Sequence, residues 1–121
     1  MSSADRAGPL RGKHLFIGYV VLMLLVFLPP VPPTPVKEPQ HFDKVVHFGI
    51  FLGFALLYRT VHAAGALRAM LTSFAFAAAI ELAQWALPYR EGDWWDLAAD
   101  MAGAISGAFL VYAIESQRKR V

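Results

Sequence analysis

Asp43, Lys44 and His47 stand together in DKVVH, Glu81 and Gln84 in ELAQ, and Asp96 and Asp100 in DLAAD. On helices, residues three or four apart share a face, so each of these sets points one way. A histidine among carboxylates can do acid–base work, and carboxylates can hold a hard cation through oxygen. The same groups can instead hydrogen-bond the hydroxyls, amines or phosphates of a polar headgroup. Arg90 is the only base in the acid-rich stretch from Ile80 to Asp100, suited to pairing with a carboxylate or gripping an anion. No cysteine is present, so thiol chemistry and zinc–cysteine sites are excluded, and neither a metal nor a cofactor is expected.

The surroundings of these acids are apolar. Of the 121 residues 57% are hydrophobic and 17% charged, with a mean hydropathy of +0.46, too greasy for a soluble domain this small. Four apolar segments follow, at about 14–30, 43–59, 67–87 and 95–114. Each is somewhat short or interrupted against the roughly 20 residues that span a hydrocarbon core, and helices are the default there because lipid offers the backbone no partner. The chain is therefore expected to be an all-α membrane protein, a single domain over 1–121 built as a four-transmembrane-helix bundle. A loop at 29–40 holds most of the prolines and reads as a stiff spacer. The first segment reads as a retained anchor, since no small-residue cleavage site follows it.

Basic residues set the orientation. With four crossings, eight bases fall on the side of the termini and three on the other, so both termini are expected in the cytoplasm. That use of the bases leaves no support for nucleic-acid binding. The opposite face carries seven acids: Glu38, Asp43, Glu81, Glu91, Asp93, Asp96 and Asp100. At about 1.5 Å rise per residue, His47, Glu81 and Asp100 come to a similar depth in that outer leaflet on three different helices. An acid at the depth of Glu81 costs a few kcal/mol unless it is paired or neutralised.

Competing roles are open for several of these residues. Asp96 fits a helix N-cap, Asp93 and Glu91 fit a solvated loop, and Glu81 with Gln84 fits plain hydrogen bonding across helices. Trp85, Trp94 and Trp95 fit an aromatic belt at the outer interface. Gly103 and Gly107 extend the stripe of Asp100 and permit close helix approach, with Gly49 and Gly53 as a weaker pair at the same spacing.

At these residues the chain resembles the VanZ-like family of small bacterial membrane proteins. The likeness rests on DKVVHFGIFLGFALL and IELAQWALPYREGDWWDLAADMAGAISG, which supply Asp43, Lys44, His47, Glu81, Gln84, Pro88, Arg90, Asp96, Gly103 and Gly107. Asp100 stands where the family usually shows Asn. The resemblance implies a multi-pass protein of the bacterial cytoplasmic membrane with a shared polar site, and it points toward teicoplanin resistance. The expected function is binding, or an accessory role in the cell envelope. Its ligand would be a lipid-linked precursor or a glycopeptide, met by Asp43, Lys44, His47, Glu81, Gln84, Arg90, Asp96 and Asp100. A membrane-embedded hydrolase or transferase and a small transporter or proton relay are the alternatives. A visible nucleophile is lacking for the first, and ionisable residues toward the cytoplasmic leaflet of the third and fourth helices are lacking for the second.

Overall fold

The computed structural model describes residues 3–30, 42–89 and 93–120, with side chains over 11–30, 42–89 and 93–117. Arg90, Glu91 and most of the proline-rich loop lie outside them. Four helices appear: α1 (Ser3–Phe27), α2 (Phe42–His62), α3 (Ala66–Ala86) and α4 (Trp94–Arg120). No strand occurs among the described residues. Each helix runs past its apolar segment at one end or both, most of all α1 at its start and α4 at its end. The apolar run stops there, but nothing breaks the backbone ladder, so flanking polar residues stay helical. Helices α2, α3 and α4 are long and apolar enough to cross a membrane. At 21 residues α2 and α3 each measure about 32 Å, against a hydrocarbon core about 30 Å thick.

Local chemistry ends the helices. Helix α3 stops at Leu87, which precedes Pro88 and is extended at φ −87° and ψ 130°, the conformation a following proline imposes. Helix α2 stops at Ala63, whose φ of 50° lies in the left-handed region. The Ala64 N–H then returns to the Arg59 carbonyl at 3.1 Å, a Schellman closure with alanine where glycine is usual.

The frame is the α2–α4 pair. A Cβ added at Gly103 would lie 2.9 Å from the Phe48 carbonyl carbon and 3.0 Å from its Cα. One added at Gly107 would lie 3.1 Å from the Leu52 carbonyl carbon. Only glycine allows that backbone-to-backbone approach. The weaker pair divides: Gly53 makes room for the Tyr19 ring, whose hydroxyl donates to the Ile50 carbonyl at 2.5 Å, while Gly49 faces open space. Helix α3 packs on α4 and α2, and α1 lies along α2. Phe27, Phe51, Phe54, Met23, Ile80, Ala77 and Ala104 make the core between them. Outward, Leu25, Leu71, Leu82 and Phe109 are each 58–64% exposed, an apolar surface that suits lipid rather than water.

Candidate functional site

Two close approaches bring the site together: the α2–α4 crossing, and the turn that leads into α4. Asp43, Lys44 and His47 occupy the first turns of α2, and Asp96 and Asp100 those of α4. Glu81 and Gln84 come from the last turns of α3. His47, Glu81, Gln84, Asp96 and Asp100 are all buried.

Lys44 is the hub. Its Nζ donates to Asp43 at 2.7 Å, Asp93 at 2.8 Å and Asp96 at 2.7 Å. These three bonds use every donor of an ammonium. Lys44 is therefore engaged with carboxylates and, in this arrangement, holds no donor free to grip phosphate. Of its three partners Asp96 is the buried one, its side chain 9% exposed against 40% for Asp93 and 56% for Asp43.

Beside it, His47 Nδ1 lies 2.7 Å from Asp100 Oδ1, and Nε2 lies 3.7 Å from Asp96 Oδ2. The Phe27 ring stacks on the imidazole at 4.5 Å between centroids, fixing its plane from the α1 side. Glu81 uses one oxygen to accept the Asp93 N–H. Its other oxygen, Oε2, is buried without a partner among the described residues, and so is Oδ2 of Asp100. Neither acid draws help from a helix end. Asp100 lies two turns into α4, and Glu81 sits toward the C-terminus of α3, where the dipole disfavours negative charge. Asp43 and Asp96, by contrast, lie in first turns that favour them.

Two residues take other places than expected. Gln84 turns away from the Lys44–His47 cluster: its Nε2 donates to the Phe27 carbonyl at 2.9 Å, capping the end of α1. It therefore positions Phe27 over His47. Asp93 lies in the loop before α4 with its side chain 40% exposed, as its solvated-loop reading has it, and the N-cap role open to Asp96 falls to Asp93 instead. Asp93 caps α4, its Oδ1 accepting the Trp95 N–H at 2.9 Å, while Oδ2 accepts from Lys44. The Lys44 hydrogen bond, seconded by that Trp95 N–H, holds the Asp93 carboxyl below its ordinary range. An Asp directly before an apolar helical run is the usual N-cap signal, and it was the clue to Asp93 in GDWWD. Phe27 had no such signal.

A cleft of about 490 Å³ opens beside this centre, lined by Lys44, Asp93, Trp95, Ala98 and Ala99. It is polar at Lys44 and Asp93 and apolar along α4. Trp85, Trp94 and Trp95 are 55–74% exposed at the same end of the molecule. Among the described residues no three of the acids and histidines are disposed to share a metal ion. Serines stand apart from the centre: Ser106 Oγ donates to the Ala102 carbonyl at 2.8 Å, and Ser73 is buried on α3 with its hydroxyl unpartnered.

Comparison with known proteins gives one match. The VanZ/LLP1 family model matches residues 13–115, which takes in α2 and α3 whole, most of α1 and α4, and every site residue named above. No curated protein and no solved structure matches the chain.

Proposed function

The chain belongs to the VanZ/LLP1 family, and from that premise we propose that it binds the polar head of an envelope molecule in a site facing away from the cytoplasm. In this reading all four helices cross the bacterial cytoplasmic membrane and both termini lie inside. The asymmetry of basic residues supports that orientation, and the exposed apolar side chains of α1, among them Leu15, Ile17 and Leu25, support a first crossing. The ligand is a lipid-linked precursor or a glycopeptide antibiotic, met where lipid headgroups sit.

One observation carries the reading. Two buried carboxylate oxygens, Glu81 Oε2 and Asp100 Oδ2, have no donor among the described residues, although they belong to a centre in which the other buried acid, Asp96, is paired with Lys44. A buried polar atom left unpaired costs about 1–3 kcal/mol, more when charged, and folding alone gives no reason to keep two. Ligand hydroxyls or amines supply what is missing. Binding is favoured over catalysis because the polar partners of His47 among the described residues are both carboxylates, with no hydroxyl or thiol in reach.

The test compares Glu81→Gln and Asp100→Asn with the parent in binding of lipid-linked precursors to purified protein, and in glycopeptide sensitivity of cells. Both variants are expected to fold and to lose binding or protection by about tenfold or more, the equivalent of one charge-assisted hydrogen bond. Parent-like behaviour of both variants in both assays contradicts the reading.

A further inference from the structure

We infer that the group recognised here is a primary ammonium, carried on an amphiphile at the outer bilayer surface, and that Lys44 occupies its seat until the ligand displaces it. The inference rests on the headgroup-binding reading above and names the chemistry of that ligand. Three acids from α2, the turn before α4 and α4 itself converge on one Nζ at 2.7–2.8 Å. That is a cage built for an N–H-donating cation. The lysine that fills it sits on a flexible stem in the first turn of α2, and its side chain keeps 22% exposure. At a membrane interface such a side chain can turn outward to water while its stem stays on apolar surface.

The cleft begins at the cage. Its polar end is Lys44 and Asp93, and its continuation over Trp95, Ala98 and Ala99 is apolar, the order of headgroup and acyl chain in a lipid. The unpartnered Glu81 Oε2 and Asp100 Oδ2 are an independent sign of what is lacking. Among the described residues five carboxylates stand against one ammonium and one imidazole, so this described set is short of donors and of positive charge. A phosphate would add acceptors and find Lys44, the one lysine of the centre among the described residues, already taken. A polyol would add donors without charge. An ammonium adds both.

The sign of the Lys44 effect separates this inference from its rivals. Detergent-purified full-length protein, as parent and as Lys44→Met, would be titrated by native mass spectrometry with three lipids of identical acyl chains: phosphatidylethanolamine, phosphatidylcholine and phosphatidylglycerol. With the internal competitor gone, phosphatidylethanolamine binding is expected to tighten about tenfold, one charge-assisted hydrogen bond's worth. Phosphatidylcholine, which has no ammonium N–H to donate, is expected not to change. Weaker or unchanged phosphatidylethanolamine binding overturns the inference, as does an equal gain for both lipids. Loss of phosphatidylglycerol binding alone would show Lys44 gripping phosphate, leaving the headgroup site standing and the ammonium wrong. If Lys44→Met and Glu81→Gln both leave all three lipids bound as in the parent, the headgroup site falls as well. Should Lys44→Met fail to fold, the parent alone decides: affinity must drop stepwise as the ethanolamine nitrogen gains methyl groups, and a flat series overturns the inference.

Discussion

The two ends of the α2–α4 pair each hold a partly buried cation, and they treat it differently. At the end beside the α2–α3 turn Arg59 donates from Nε to the Ala64 carbonyl at 2.9 Å and from Nη1 to the Ala108 carbonyl at 2.6 Å, with Glu115 at 3.9 Å. Its partners are fixed backbone atoms, and its work is to close the end of α2 and pin it to α4. At the opposite end Lys44 meets three carboxylates on movable side chains, and two more acids behind it keep oxygens with no donor among the described residues. Aromatic rings continue the contrast. Phe16, Tyr58 and His62 pack against one another at centroid distances of 4.6–5.8 Å, in tilted and edge-on contacts. A closed arrangement of this kind serves the fold; an open one implies a partner from outside.

Breaking the frame that holds both ends should have the largest effect. Gly103→Val would drive a branched side chain into the Phe48 backbone, which cannot yield as a side chain could. A loss of about 3 kcal/mol or more is expected, seen as loss of the monodisperse folded protein in detergent together with both ends' properties. Next, exchanging damage between the ends sharpens the contrast. Arg59→Met should destabilise the protein by about 1–3 kcal/mol in a chemical unfolding titration while the folded fraction binds ligand as the parent does. Glu81→Gln should do the reverse, costing binding while stability changes by no more than about 1 kcal/mol, because the amide oxygen can still accept the Asp93 N–H.

Smaller effects probe the seams. Ala63→Gly should stabilise by about 0.5–1 kcal/mol, since glycine takes the left-handed conformation at φ 50° without a Cβ penalty. A thermal melt in detergent reads it, and no change in ligand binding should accompany it. The smallest effect concerns acid. Because Lys44 depresses the Asp93 carboxyl in the folded state, the stabilisation from that bond is complete above the ordinary Asp value of about 4. It fades as pH falls through the depressed folded value. Asp93→Asn should flatten this part of the acid limb of the melting profile and leave the neutral region nearly level.

How much of this was legible in the sequence follows from what each residue's position depends on. Helical spacing alone relates His47 to Asp43 and Asp100 to Asp96, and the depth argument needs only the rise per residue, so the meeting of α2 and α4 could be anticipated from GxxxG and two DxxxD/H spacings. Gln84 could not be read so. Its partner is a backbone carbonyl at the end of α1, and carbonyls carry no sequence signal. The same holds for Arg59, which counts as a plain cytoplasmic base in the sequence and binds the Ala108 carbonyl in the structure. Helix ends were legible where proline dictates them, as at Leu87, and were misjudged where polar residues simply continue the ladder, as beyond Tyr58 and Ile114.

The account turns on the polar centre lying in the half of the bilayer away from the cytoplasm. Because the chain has no cysteine, single cysteines can be read without background. Tyr89 lies in the turn after α3, beside the centre, and Gly65 lies in the turn between α2 and α3 at the opposite end; both are exposed. On intact cells or spheroplasts a membrane-impermeant maleimide should label Tyr89→Cys at once and Gly65→Cys only after the membrane is opened. Labelling in the opposite order, or of both positions from one side, would put the site elsewhere and contradict the account.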